Sequence, residues 1–250
     1  MTLFIVLMEQ YLNLYNNMTE FNKEKPLRVF ESFAGYGSQS MALNRVKQEN
    51  PEFDFVVVGI SEIEKNALMA YKAIHGHCPN YGDISRINWE DVPDFDLFTY
   101  SFPCTDISNA GKQMGLSEGS GTRSGLLWEC RKAIDVKRPK YLLMENVKAL
   151  TGKKFIGEFE KWLKELEKFG YTSYWEVMNA KNHGVPQNRE RVFCLSILGD
   201  HEPYVFPKEE VLDKRLKDVL EPTVDDKFIL SDTAVEGLFN YTENFNSNKG

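Results

Sequence analysis

The sequence carries little that would cross-link a fold or hold a metal. Its 250 residues include four cysteines, at positions 78, 104, 130 and 194. None forms a CxxC pair and their spacing matches no zinc pattern. A structural zinc module and a disulfide framework are thus excluded, no metal is expected, and the cysteines read as reduced. No apolar run approaches the roughly 20 residues that cross a membrane. The longest near the start, residues 3–8, lacks a basic flank and makes a poor signal peptide. Cations are not in excess: 30 Lys and Arg against 37 Asp and Glu give a net charge of −7. That balance argues against a protein that coats nucleic acid non-specifically, although a local basic groove remains compatible with it. Repeats and low-complexity tracts are absent.

What is present reads as globular. Apolar residues make up 42% and charged residues 27%, and the length allows one large domain or one domain and part of another. Strand and helix signals alternate. Strands are expected at residues 27–33, 53–60, 96–101, 141–144, 174–178 and 191–198, with a short one before Gly82. Helices are expected at 38–46, 64–74, 124–135 and 156–169, the last stopped by Gly170. The valine-rich segment 53–60 reads as a strand buried on both faces. Single helices between strands predict an α/β fold with a mostly parallel sheet and right-handed crossovers. After Gly199 the alternation gives way to a polar, proline-containing stretch.

Ligands in such sheets bind beyond the carboxyl ends of the strands, and four groups of residues fall there. The first is Phe33-Ala34-Gly35-Tyr36-Gly37-Ser38, a glycine turn between strand and helix that lets backbone approach a ligand. No third glycine completes GxGxxG, so a dinucleotide is disfavoured. Glu62, at the end of the next strand, suits a ribose, and Asp83 suits an adenine amino group. Singly these are ordinary surface acids; with the turn they read as an adenosine site. The second is Pro103-Cys104, a rigidly held thiol followed by a polar stretch. Gly111, Gly115, Gly119 and Gly121 make that stretch read as a mobile lid. The third is Glu145-Asn146-Val147, and the fourth Gln187-Asn188-Arg189-Glu190-Arg191, whose two arginines share one side of a strand start.

In this order, these motifs resemble the cytosine-C5 DNA methyltransferases, across roughly residues 27–198. The resemblance implies a Rossmann-like S-adenosylmethionine-dependent methyltransferase fold, with a mostly parallel seven-stranded sheet and helices on both faces. It implies S-adenosyl-L-methionine as methyl donor and a cytosine flipped out of double-stranded DNA as substrate. Cys104 is then the nucleophile, with Glu145, Arg189 and Arg191 as the other catalytic residues. Phe33, Gly35, Tyr36, Gly37, Glu62, Ile63, Asp83, Ile84, Pro103 and Leu127 match cofactor-binding positions. Ser108, Lys112, Arg123 and Gln187 match DNA-binding ones. The resemblance further implies a bacterial or phage enzyme beside the nucleoid, in the cytoplasm, of the kind found in restriction-modification systems. An RNA-directed enzyme of the same chemistry and a non-catalytic remnant stay open as alternatives, although a remnant has no need of an intact Cys104, Glu145 and Arg191.

Two departures from the family pattern stand out. After Pro-Cys the family has Gln, any residue, Phe, Ser; here Thr105, Asp106, Ile107 and Ser108 follow. A target-recognition region and a closing Gly-Asn-Ser motif have no counterpart in the sequence. The expected organisation is a disordered extension over residues 1–25, with Met18 reading as a start, then a catalytic domain over 26–200 and a connector over 201–250. The connector leads toward a recognition domain on a second subunit, in a split or truncated enzyme. Residues 111–154 hold ten cations against four anions, a basic stretch around the expected lid.

Overall fold

A computed structural model describes residues 20–108 and 115–247. Lys112, part of the expected lid and most of the 1–25 extension lie outside the described residues. Six strands are present: β1 (Leu27–Ser32), β2 (Phe55–Ser61), β3 (Leu97–Tyr100), β4 (Tyr141–Val147), β5 (Tyr171–Asn179) and β6 (Glu190–Leu198). They form one sheet in the order β2-β1-β3-β4-β6-β5. β1 pairs in parallel with β2 and β3, and β3 with β4, whereas β6 runs antiparallel to both β4 and β5. Seven strands were expected; among the described residues there are six. The segment before Gly82 makes only an isolated bridge, Ile60 to Asn80. Pro79 offers no N–H to a ladder and Gly82 turns the chain at φ +73°, so the pairing cannot extend.

The helices are α1 (Ser38–Glu49), α2 (Lys65–His75), α3 (Cys130–Lys137), α4 (Ile156–Lys168) and α5 (Asp232–Ser247). The stretch expected to begin a helix at Ser124 is a 3-10 helix, Ser124–Glu129, before α3 takes over. Alternation along the central strands sends side chains to two cores. Phe30, Phe98, Leu142 and Met144 pack with Ala133, Ile134, Phe159 and Trp162 of α3 and α4. Val29, Leu97 and Leu143 point the other way, toward Ala42 and Leu43 of α1. α4 buries Phe159, Trp162 and Leu166 at helical spacing and ends where Gly170 takes φ +83°.

The valine-rich β2 is an edge strand, with β1 as its only neighbour in the sheet among the described residues. Val56 is therefore 43% exposed, and burial on both faces is confined to the central strands. Its register with β1 slips at Val58, and the next residue is Gly59. A Cβ there would lie 2.6 Å from the Tyr81 ring and 2.9 Å from the Phe30 ring. The missing side chain lets both rings close over β2, whose carboxyl end carries Ser61 and Glu62.

The compact body runs to Asp213 and a second unit covers Lys214–Gly250. The body extends past residue 200 because Tyr204 is buried among Tyr174 and Phe206, and the Glu210 N–H donates to the Asn182 carbonyl at 2.7 Å. The second unit contains two 3-10 turns, Leu216–Val219 and Asp226–Phe228, and α5. None of its side chains between residues 214 and 240 is buried. Among the described residues no helix is long and apolar enough to cross a membrane.

Candidate active site

At the carboxyl end of β1 the chain turns sharply. Phe33 takes φ +55°, which is strained for a bulky residue, and Gly35 and Gly37 follow at +58° and +82°. The Gly37 N–H closes the turn on the Ala34 carbonyl at 2.9 Å. Glu62, at the end of β2, reaches over it. Its carboxylate accepts from the Gly35 N–H at 2.8 Å and from the N–H groups of Ile63 and Glu64 at 2.8 and 2.7 Å. A carboxylate has roughly four acceptor directions, so about one remains for a ligand hydroxyl. Asn80 fixes the backbone beneath Glu62. Its side chain accepts from the Glu62 N–H at 3.1 Å and donates to the Glu62 carbonyl at 3.0 Å. Asp83 accepts from the Ser85 N–H and hydroxyl at 3.0 and 2.8 Å, and these bonds hold its carboxyl below its ordinary range.

A cavity of about 150 Å³ opens here, lined by Phe33, Glu62, Ile63, Asp83, Ile84 and Pro103 among others. Phe33 also lines a second cavity of about 140 Å³, which runs along Gly35, Tyr36 and Gln39 to Ser101, Glu145 and Arg189. Leu127 is fully buried in the core, and its neighbour Leu126 lines the first cavity. Arg123, grouped above with DNA contacts, lines that same cavity.

Cys104 follows β3 on a loop held from below. The Asn146 side chain donates to the Phe102 carbonyl at 2.9 Å, and the Ser124 hydroxyl to the Pro103 carbonyl at 2.7 Å. The buried Asp106 donates its own N–H to Ser124 Oγ at 3.2 Å and accepts the Ser124 N–H at 3.1 Å. Ile107, where the family has Phe, is completely buried. The loop is thus pinned at several points while Cys104 itself stays half-buried. The other thiols are poor nucleophiles: burial pushes Cys78 up to about 11 and Cys194 up to about 12, and raises Cys130 strongly.

Glu145 sits on β4 facing β6. Val147 lies directly opposite Arg191, which puts Arg191 diagonal to Glu145 on the same face. Arg191 Nε lies 3.0 Å from Glu145 Oε1, with less than a quarter of either side chain exposed. Burial pushes the Glu145 carboxyl above its ordinary range, against the pull of Arg191, Arg189 and a hydrogen bond from Ser101. Burial lowers Arg191, while Glu145 and the nearby Cys104 pull it back; a guanidinium stays charged regardless. Cys104, Glu145 and both arginines therefore share one corner. Outside it, an open groove of about 690 Å³ is lined by Ser108, Lys148, Gln187, Arg189 and Arg191 among others.

The sequence reading did not find Gln39, Asn80 or the Asp106–Ser124 pair, because each works through a partner far along the chain. Much of the basic stretch is occupied elsewhere. Arg131 pairs with Glu118 at 2.7 Å, Lys132 with Glu129 at 2.6 Å and Lys137 with Asp94 at 3.2 Å, while Arg138 and Lys140 bond the Phe169 and Leu198 carbonyls. Among the described residues no group of His, Cys, Asp and Glu could hold a metal ion.

The chain is 44% identical to the type II methyltransferase M2.ScrFI of Lactococcus lactis subsp. cremoris, over 84% of this chain and 71% of that protein. It is 36% identical to the orphan methyltransferase M.SssI of Spiroplasma monobiae, over 84% of this chain and 69% of that one. Among solved structures, S. pombe Dnmt2 methyltransferase superposes with a TM-score of 0.65 at 22% identity, over 85% of this chain and 65% of that one, and shares the fold. The model of the C-5 cytosine-specific DNA methylase family matches residues 27–249, and the chain belongs to that family.

Proposed function

We propose that this chain moves a methyl group from S-adenosyl-L-methionine to C5 of a cytosine flipped out of double-stranded DNA. The observation that carries the reading is the meeting of Cys104, Glu145 and Arg191 at the sheet edge, beside two cavities that both have Phe33 in their walls. The cavity residues fit the cofactor: Glu62 retains acceptor capacity for a ribose hydroxyl and Asp83 is an ionised acceptor for an adenine amine, with Phe33, Ile63 and Ile84 as apolar walls. The glycine turn lines the space between them and Glu145. When bound, the cofactor supplies an electrophilic methyl group on a sulfonium.

The protein's part is to make C5 a nucleophile. The Cys104 thiolate bonds to C6 of the cytosine, and the C5–C6 π electrons move toward C5 and the ring nitrogen. Glu145 holds N3 and the exocyclic amine. Its raised proton affinity suits a group that donates to N3 as charge builds there. Arg191 orients Glu145 and faces O2 of the base, and Arg189 closes the wall between the cofactor side and the groove. C5 then takes the methyl group, the C5 proton leaves, and the S–C6 bond breaks to restore the ring and free Cys104. Ser108, Lys148 and Gln187 line a groove suited to the strand around the flipped base. Arg123 belongs to the cofactor side in this reading. The enzyme works in the cytoplasm, where its DNA is.

A second subunit or domain carrying target recognition is part of this proposal. Its support is the second unit, where Leu216, Phe228, Ile229 and Phe239 are each at least 65% exposed.

The test is transfer of labelled methyl groups to duplex DNA and to RNA. DNA labelling that depends on Cys104 is expected. Labelling of RNA alone would overturn the DNA assignment. A duplex carrying 5-fluorocytosine should trap a covalent complex, since fluorine cannot leave as a cation; failure to trap with the wild type while DNA is still labelled would overturn the Cys104 mechanism.

A further inference from the structure

Behind the glycine turn lies a set of side chains with no part in the reaction above. His75, the last residue of α2, brings Nε2 to 3.1 Å from the Tyr36 carbonyl oxygen. A carbonyl only accepts, so Nε2 bears the hydrogen and donates it. The peptide between Tyr36 and Gly37 is therefore clamped at both ends. Its carbonyl takes the imidazole N–H, and its own N–H donates to the Ala34 carbonyl at 2.9 Å. Tyr71, one helical turn before His75, stacks at an angle on the imidazole with ring centroids 4.7 Å apart. Both rings press on Gly37, where a Cβ would lie 2.4 Å from His75 Nε2 and 2.7 Å from Tyr71 Cε2. Ala34, Gly35 and Tyr36, the residues this clamp holds, also line the cavity that runs to Glu145.

We propose that His75 is a positioning residue for the cofactor, holding the Tyr36–Gly37 peptide so that the turn keeps its binding shape. The proposal rests on the cofactor reading given above. It assigns α2, which touches no expected ligand, a role in affinity through one hydrogen bond. The bond crosses from one βα unit to the next, so it sets the turn against β2 and Glu62 as well as against β1.

Equilibrium binding of S-adenosyl-L-methionine, measured by titration calorimetry on the full chain, tests it. The variants are His75→Ala and His75→Gln, each held well below its own melting temperature. Both lose the ring packed on Tyr71, but glutamine keeps an N–H donor at comparable reach. Alanine should weaken binding about tenfold, as expected for one hydrogen bond that aligns a site, and glutamine should restore it to within about threefold of wild type. Alanine binding like wild type would overturn the proposal. So would equal weakening by both variants, because that is the signature of lost packing alone. If the wild-type chain binds no S-adenosyl-L-methionine, the cofactor reading fails and this one with it; if the wild type binds and the variants disobey, only the role of His75 falls.

Discussion

Glu31 offers a test of how the site's foundation is built. It lies in the middle of the sheet on β1, two residues before the strained Phe33, and is completely buried. Ser40 donates to one of its oxygens at 2.9 Å, and among the described residues the other oxygen has no hydrogen-bond partner. Burial pushes the carboxyl from its ordinary 4.5 up to about 7, against the pull of the nearby Ser40 and Tyr71 hydroxyls. At roughly 1.4 kcal/mol per pH unit, that rise corresponds to about 3 kcal/mol. The sign follows from proton binding. Between pH 4.5 and 7 the folded chain keeps a proton that the unfolded chain releases, so this contribution to stability is intact below 4.5. It is lost progressively as pH rises and is gone above 7. Glu31→Gln removes the ionisation and keeps the shape. Urea unfolding of both chains at pH 5, 6, 7 and 8 isolates the effect, because every other titration cancels in the difference. Relative to wild type, the variant should gain about 2–3 kcal/mol between pH 5 and pH 8. A difference that stays flat with pH would refute a buried, proton-holding Glu31.

Three further outcomes follow from the site. Cys104→Ser should lower methyl transfer by on the order of 10³-fold or more while leaving calorimetric binding of S-adenosyl-L-methionine within about twofold. Gly37→Ala should cost about 2–4 kcal/mol in urea unfolding, combining a left-handed backbone with collision against His75 and Tyr71; a loss under 1 kcal/mol would contradict the packing. Arg191→Ala should leave Glu145 buried without its ion pair, costing about 1–3 kcal/mol. The loss should grow with pH as Glu145, already raised by burial, ionises without a partner, which chemical denaturation at pH 5 and 8 will show.

The parts of the site that sequence reveals are those carried by contiguous residues. Phe33 to Gly37, Pro103-Cys104 and Glu145-Asn146 each lie at or just beyond the carboxyl end of a strand, which fixes where they are presented. Residues that act across the chain left no such trace: Asn80 holds the backbone of Glu62, and Ser124 holds the Cys104 loop from 18 positions beyond Asp106. That Leu126 lines the cavity while Leu127 is buried has a geometric cause. Residues 124–129 form a 3-10 helix, in which i and i+3 eclipse. Ser124 and Leu127 therefore share the buried face, and Arg123 and Leu126 share the cavity. Composition likewise counts the charges of the basic stretch without their partners, and Arg131, Lys132 and Lys137 are paired.

The position of the arginines reveals how the sheet assembles this corner. In a parallel sheet the ligand edge collects residues at or just beyond the carboxyl ends of strands, and three of the four motifs lie there. Arg191 instead lies near the start of β6, and Arg189 immediately precedes that strand. In a fully parallel sheet both would sit at the opposite edge, about a strand's length from Cys104. The inversion of β6 resolves this: its first residues lie against the end of β4, with Arg191 opposite Val147 and Phe193 opposite Glu145. The long β5–β6 hairpin is what permits the inversion, because β6 can turn back along β5 without a crossover helix. One antiparallel strand thus supplies two cations to an edge where the parallel strands supply the thiol and the carboxyl. It also explains why Glu145 can be buried and still hold a partner: the pair is diagonal on neighbouring strands and set by register, with no loop needed to bring it together.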